Sequence, residues 1–353
     1  MQRTIRHLSM MVGVLILVAL IGTASVVTGQ GSWATSPAVK NLYEKAKAEG
    51  QVVIWGPNDQ ELDWIPRAFN KRFPGIEVKF TADLAAVTKL VAEYRAGRHT
   101  VDTFIFSLGG MMPLAERGIL GPNDWGLFGV LPEDVFFNGN AAATHNLLYA
   151  VIYNTDKVKE SELPKTWDGF LDPKFKGKLV SSDFLWPRFL GFLALSWGEE
   201  KTIEFARAMR DKQNIAVTGT AVAETMVKTG ERPITLGSFP QNAIYWKNVE
   251  KVPTWWAPVT PTGAVQFVSS ALSKAPHPNA AKLLAGWLAS DEGKEIRELE
   301  REGVADLRSG SRSKMAENLR ARGIKWVLED VTTMKQRADF ANRINPIVTG
   351  QQR

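Results

Sequence analysis

Short apolar runs that alternate with amphipathic stretches constrain the fold of this chain more than any other feature of its sequence. In the N-terminal third, residues 51–55, 76–80 and 101–106 have the pattern of strands. Between them, residues 62–73 carry apolar side chains at helical spacing, and Asp83 precedes a second helical stretch. Strands that alternate with helices are typical of a sheet covered by helices, so we predict an α/β fold.

The rest of the chain repeats this pattern without a flexible linker. Further strands are predicted at residues 147–153, 178–181, 214–217, 233–236 and 264–270. We therefore expect two lobes, each a mixed sheet flanked by helices, joined by crossover strands that form a hinge. After residue 310 the pattern becomes that of two or three helices, broken at Gly323. The expected boundaries are 33–146 and 263–310 for the N-terminal lobe, 147–262 for the C-terminal lobe, and 311–353 for a helical tail.

The N-terminus has the order of a secretory signal peptide. Two arginines precede an apolar run at residues 10–21, and small or polar residues follow it. We predict a signal peptide over residues 1–29, cleaved after Ala24 or after Gly29. The alternative is an uncleaved membrane anchor, since a spanning helix needs about 20 apolar residues. The chain has no cysteine for lipid attachment, so we expect export to the periplasm.

Composition excludes several classes of function. The 353 residues carry a formal net charge of +6, but the basic residues are interspersed with acidic ones, which argues against a nucleic-acid surface. Without cysteine there can be no disulfide and no thiolate metal site. The four histidines lack metal-binding spacing, and no nucleophile elbow or phosphate-binding loop occurs. We expect no enzyme activity, with a secreted hydrolase as the less favoured alternative because carboxylates are plentiful.

Several segments, in order along the chain, resemble a known family. They are residues 50–55, 102–107, 173–179, 229–234, 275–281 and 288–293. In this order they resemble the periplasmic solute-binding proteins of ABC importers, in the branch that includes ferric-ion-binding members. The resemblance implies the type II fold of this class, in which two α/β lobes close around a solute. It also implies delivery of that solute to a membrane permease.

The resemblance departs from the ferric members at one place. Those members hold the metal with adjacent tyrosines after the strand that matches residues 233–236. Here the following stretch contains no tyrosine pair, and Phe239 and Gln241 make this wall apolar and neutral. Phenylalanine cannot ligate a hard cation, so bare ferric iron is disfavoured. Tyr245 with an acidic residue keeps a ferric-ion or metal-chelate receptor open as the alternative.

Ligands bind open α/β sheets outside the carboxyl ends of the strands, so the loops there are the candidate site. The candidate ligand-binding residues are Trp55, Asn58, Asp59, Ser107, Gly109, Ser181, Asp183, Trp186, Arg188, Thr218, Gly219, Thr220, Phe239 and Gln241. Arg188 would bind a carboxylate or phosphate, and Trp186 would stack on the solute. The helix starts at Ser107 and Thr218 would bind an anion through backbone N–H groups. The structural alternatives are helix caps, turns and, for Arg188, a surface ion pair.

These observations predict a periplasmic receptor for a small anionic solute, either an organic carboxylate or a phosphorylated compound. We expect a monomer that binds neither nucleic acid nor a cofactor and has no metal site of its own. Its partners would be the solute and the permease of an ABC importer.

Overall fold

The computed structural model describes residues 33–350 of the chain. The predicted signal peptide at residues 1–29 and the last three residues of the predicted tail lie outside these described residues. Among the helices that are described, none combines the length and the apolar character needed to span a bilayer.

The strands of the described region form a seven-stranded sheet and a five-stranded sheet. In chain order they are β1 Gln51–Gly56, β2 Glu77–Ala82, β3 Thr103–Ser107, β4 Val135–Phe136, β5 Ala141–Leu148, β6 Ala150–Asn154, β7 Leu179–Ser182, β8 Ala216–Thr218, β9 Ile234–Ser238, β10 Thr254–Ala257, β11 Thr262–Ala271 and β12 Trp326–Leu328. The first sheet has the order β2-β1-β3-β11-β5-β4, with β12 beside β11, and the second has the order β10-β6-β9-β7-β8.

Both sheets are mixed and share one topology. In the first sheet β1 is parallel to β2 and β3, whereas β11 is antiparallel to β3 and β5. In the second sheet β7 is parallel to β8 and β9, whereas β6 is antiparallel to β9 and β10. The predicted α/β class, with two mixed sheets flanked by helices, is confirmed.

Helices connect these strands and cover the sheets. They are α1 Pro37–Glu49, α2 Asp59–Leu62, α3 Ile65–Arg72, α4 Ala86–Arg95, α5 Leu108–Ala115, α6 Leu185–Trp197, α7 Glu199–Asp211, α8 Thr220–Thr229, α9 Pro240–Asn248, α10 Pro278–Ala289, α11 Asp291–Glu300, α12 Lys314–Ala321 and α13 Val331–Val348. Local sequence signals explain where helices begin and end. Ser36 caps α1 with Pro37 in its first position, and Gly50 ends it at a φ of 77°.

The chain changes sheet at two places between strands. It leaves the first sheet after Leu148 and enters the second at Ala150, so that Tyr149 alone lies between β5 and β6. It returns between Ala257 and Thr262. The sequence predicted a single strand over residues 147–153, and this was wrong. Both β5 and β6 are fully buried, so no polar residue in the sequence marks the change of sheet.

The C-terminal region is helical as predicted, with its break at Gly323, but it also contains β12. This strand pairs in parallel with the start of β11, and three residues are too few to show a strand period in the sequence. The long helix α13 then packs against α6 and α7 and touches α5. A Cβ atom at Gly191 of α6 would lie 2.5 Å from Cγ of Arg337, so this close helix contact requires glycine.

Candidate functional site

Tyr149, at the first crossing between the sheets, is a buried tyrosine with a free hydroxyl. It is 1% exposed, and its hydroxyl forms no hydrogen bond with any residue in 33–350. Three rings pack around it at centroid distances of 4.8, 5.4 and 5.6 Å, those of Phe239, Phe189 and Phe192. Burial raises the pKa of Tyr149 to about 12, although the nearby Arg337 and Arg188 counteract this. The neutral phenol therefore offers a hydrogen bond to a ligand.

Arg188 lies next to this tyrosine without an acidic partner. Its guanidinium is 3.6 Å from the ring centroid of Phe184, and Nη1 donates to the Phe184 carbonyl at 2.5 Å. No carboxylate among the described residues pairs with it, so the surface ion pair considered as the alternative is absent there. Burial lowers the pKa of Arg188, and so does the charge of Arg337, while Tyr149 opposes them. An arginine nevertheless remains charged, which leaves a half-buried cation available to an anion.

A buried ion pair completes this group. Arg337 of α13 bonds to Glu329, with Nε 3.0 Å from Oε1, and its guanidinium is 4.8 Å from the ring centroid of Phe192. The other oxygen of Glu329 accepts a hydrogen bond from the backbone N–H of Gln266 at 3.2 Å. We call Tyr149, Arg188, Glu329 and Arg337 the Tyr149 cluster. Two guanidinium groups and one carboxylate leave it with one uncompensated positive charge.

Helix α13 connects the Tyr149 cluster with elements of the first sheet. Met334, one turn before Arg337, belongs to a hydrophobic cluster that contains buried side chains of α5 and against which the half-buried Trp55 of β1 packs. A Cβ atom at Gly109 would lie 3.4 Å from Cγ and Sδ of Met334. The carboxyl ends of β1 and β3 therefore lie near the Tyr149 cluster, together with the candidates Trp55, Ser107 and Gly109.

A second group of candidates lies at the carboxyl ends of β7 and β8. The Asp183 N–H donates to the Thr218 carbonyl at 2.8 Å, and the hydroxyls of Ser182 and Thr220 are 2.7 Å apart. Gly219 is the N-cap of α8 and is exposed. Gly219, rather than Thr218 or Thr220, is therefore the N-cap residue of α8. Neither threonine side chain caps this helix.

Other candidates have structural roles. The Asn58 side chain accepts from the Glu61 N–H at 3.0 Å and caps α2, while Asp59 beside it is exposed. Ser107 accepts from the Gly110 N–H at 3.3 Å and caps α5. These are the structural alternatives considered for both loops. The backbone N–H groups in the first turn of α5 lie at the carboxyl end of β3, because α5 begins at the residue after this strand.

Two candidates are corrected because they lie in the core. Ser181 is fully buried, and its hydroxyl donates to the Leu236 carbonyl at 2.6 Å. Trp186 has no exposed surface and packs against Phe189 and Phe205, so it cannot stack on a solute in this structure. Its position in the first turn of α6 orients the side chain into the C-terminal lobe, whereas Arg188 lies on another face of the helix.

The last two candidates begin α9. Phe239 is half-buried against the Tyr149 ring. Gln241 contacts the loop after α11, since a Cβ atom at Gly303 would lie 2.6 Å from the Gln241 nitrogen. Sequence reasoning missed Tyr149, Glu329 and Arg337. Of these three residues, only Tyr149 could have been found from the sequence, because it lies close to the predicted boundary between the lobes, where crossover strands are expected.

A separate cavity lies away from the Tyr149 cluster, and none of the candidate residues lines it. It encloses about 610 Å³ between β10, α11 and α12. Its Glu295 pairs with Arg312 at 3.2 Å, and Glu298 accepts from the Ser313 hydroxyl at 2.9 Å. Because its Arg312 is already paired with Glu295, volume alone does not make this cavity a site for an anion. No group of three His, Asp or Glu residues in 33–350 is arranged to hold a metal ion.

A buried charge network links α2, β5 and α11. Glu61 lies 2.8 Å from Nη1 of Arg297 and 3.1 Å from Nε2 of His145, and all three residues are buried. Burial alone would raise the pKa of Glu61. The charges of His145, Arg297 and Arg301 outweigh this effect and bring the pKa of Glu61 down to about 2. Burial, then the charge of Arg297, lowers the pKa of His145 to about 4 against the opposing effect of Glu61.

The folded protein is expected to lose stability as the pH falls from 6.5 to 4. In this window the unfolded chain protonates His145, whereas the folded chain keeps it neutral, so acid favours unfolding. The expected loss from this group is about 3 kcal/mol. Urea titrations at several pH values measure it, and His145→Gln should flatten the slope in this window. An unchanged pH slope in the variant would contradict the assignment.

Comparison with known proteins agrees with this architecture. The family model described as "Bacterial extracellular solute-binding protein" matches residues 38–295. No curated protein matches the chain in sequence.

Solved structures of similar fold cover most of the chain. The substrate-binding protein of an ABC transporter from Agrobacterium tumefaciens is 18% identical with a TM-score of 0.67, over 86% of this chain and 97% of that one. Iron-bound HitA from Pseudomonas aeruginosa is 16% identical with a TM-score of 0.63, over 84% and 99%. The periplasmic binding protein AfuA from Actinobacillus pleuropneumoniae, with fructose 6-phosphate bound, is 17% identical with a TM-score of 0.59, over 84% and 97%. At these identities the likeness shows the fold.

Proposed function

The chain belongs to the bacterial extracellular solute-binding proteins, the receptors of ABC transporters, and from this premise we propose that its solute is a small anion held at the Tyr149 cluster. The observation that carries the proposal is Arg188, a half-buried cation with no carboxylate partner among residues 33–350. A buried or partly buried charge is normally paired, so the missing partner is the solute. A carboxylate or phosphate fits the planar guanidinium in a bidentate way.

The neighbourhood of Arg188 suits the rest of such a solute. The free hydroxyl of Tyr149 supplies one hydrogen bond, and the rings of Phe239 and Phe184 supply apolar contact. The N-terminus of α5 and the loop between β8 and α8 add backbone N–H groups. Trp55, Ser107, Gly109, Asp183, Thr218, Gly219, Thr220 and Gln241 complete the proposed set, with Asn58 and Asp59 at its edge.

Capture works by a shift between open and closed lobes. In this proposal one lobe contains the first sheet and the other contains the second sheet, and the chain crosses between them at Tyr149 and between Ala257 and Thr262. A solute that contacts both lobes binds the closed form better and so increases its population. The permease then recognises the closed receptor. Export by the signal peptide at 1–29 places the monomeric receptor in the periplasm, where it can shuttle between solute and permease.

A ferric-ion or metal-chelate receptor is the second candidate, and Tyr149 is the observation that favours it. Phenolate oxygen is a good ligand for a hard cation, and this hydroxyl has no protein partner in the described region. HitA is an iron-bound protein of the same fold. One phenol and two arginines do not neutralise a bare ferric ion, whereas a negatively charged chelate would pair with Arg188.

Equilibrium dialysis separates these possibilities. We expect the purified protein to retain gluconate or fructose 6-phosphate, and to exclude neutral fructose. Recovery of the probe chemically intact supports a receptor, whereas release of inorganic phosphate supports a hydrolase. Ferric citrate that binds with a phenolate charge-transfer absorption supports the chelate receptor. Failure of every anion to bind would overturn the proposal.

A further inference from the structure

We infer that Glu329 sets the charge of the solute site and so reduces the advantage in affinity that a dianion has over a monoanion. This inference rests on the proposed function and deepens it. Without Glu329 the Tyr149 cluster would hold two uncompensated guanidinium groups, and with it the cluster holds one. A single net positive charge is neutralised by one negative charge on the solute.

The position of Glu329 is fixed by three elements. It lies between β12 and α13, and its side chain has no exposed surface. One carboxylate oxygen binds Arg337 of α13, and the other accepts the N–H of Gln266 in β11. Both oxygens of the carboxylate are therefore held by hydrogen bonds, and its charge acts directly on Arg337.

Contacts through Phe192 and α6 link this pair to the proposed ligand groups. The Arg337 guanidinium and the Tyr149 ring pack on the same Phe192 ring, at 4.8 and 5.6 Å. Arg188 lies in α6, the helix that contains Phe192. The charges of Arg188, Arg337 and Glu329 all act on the Tyr149 hydroxyl. The neighbouring Asp330 is exposed and bonded to the Thr333 N–H at 2.7 Å, so solvent screens its charge.

A set of three variants changes the charge in steps at pH 8, where fructose 6-phosphate is a dianion and gluconate a monoanion. Glu329→Gln raises the net charge of the cluster to two. Arg337→Gln lowers it to zero when Glu329 is ionised, and because burial raises the pKa of Glu329 while Arg337 lowers it, the titration of this variant is repeated at pH 9. The double variant, with both substitutions, restores the single charge of Arg188 and is the matched control.

Coulomb energy scales with the charge of the ligand, so the fold-change for a dianion is the square of that for a monoanion. For Glu329→Gln we expect about threefold tighter binding of gluconate and about tenfold tighter binding of fructose 6-phosphate. For Arg337→Gln we expect losses by the same factors. The double variant should bind both probes within about twofold of the wild-type chain.

Each outcome of this series of variants either supports or overturns the inference about Glu329. A purely structural ion pair predicts that both single variants weaken both probes, and that result overturns the inference. A constant ratio of the two affinities across all four proteins overturns it while leaving the proposed function intact. Binding of neither probe to the wild-type chain overturns the proposed function and the inference with it. Stepwise change of the ratio with charge supports both.

Discussion

Replacement of Arg188 by glutamine should weaken binding of an anionic solute by roughly 30-fold, or about 2 kcal/mol. The guanidinium is half-buried and has no carboxylate partner among the described residues, so it is free to pair with the anion. Glutamine keeps much of the side-chain length and some hydrogen bonding but removes the charge. The fold should be retained, because the contacts of Arg188 are to Phe184, the residue that precedes its own helix.

Isothermal titration with gluconate and fructose 6-phosphate measures this effect. Arg322→Gln is the matched control, since Arg322 is exposed and pairs with Glu160 at 2.9 Å, away from the Tyr149 cluster. The control should bind like the wild-type chain. Equal affinities for the wild-type chain and the Arg188 variant would remove Arg188 from the site.

Replacement of Arg297 by methionine should lower the free energy of unfolding by about 3–5 kcal/mol. Arg297 is 1% exposed, and its loss removes the hydrogen-bonded cation of the buried Glu61, which then has a neutral His145 and the charge of Arg301 near it. A buried charge without a partner costs far more than the pair contributes. Because this network joins α2, β5 and α11, the variant also weakens the packing of these three elements on one another.

Urea denaturation of three proteins tests this prediction. Glu61→Gln combined with Arg297→Met should recover part of the loss, because no lone charge remains. Arg67→Met is the matched control: Arg67 pairs with Glu300 at the surface, where such a pair contributes about 0–1 kcal/mol. If Arg297→Met destabilises no more than Arg67→Met does, the network does not carry the stability assigned to it.

Much of the fold was predictable because strand and helix periods are local properties of the chain. The strands β1, β2 and β3 and the helices between them follow from apolar spacing and from stop signals such as Gly50 and Gly75. The division at Tyr149 was not predictable, because continuous burial on both sides of it gives one unbroken apolar run. β12 was missed because three residues pair with β11 through a contact distant in sequence.

The site was predictable only in part. Loops at strand ends are recognisable from the sequence, and this rule led to Arg188, whereas Phe239 came from the resemblance to the ferric members. Which side chains of a helix face the site depends on packing, and so Trp186 was assigned to a solute although it lies in the core. Arg337 and Glu329 come from the tail, and only the packing of α13 on α6 brings them to Tyr149.

Native mass spectrometry tests the central claim most directly. The chain and its Arg188→Gln variant are incubated with gluconate, fructose 6-phosphate and neutral fructose. The account predicts a one-to-one adduct of an anion on the wild-type chain, a weaker adduct or none on the variant, and no adduct of fructose on either. An anion adduct of equal intensity on both proteins, or no anion adduct on the wild-type chain, would contradict it.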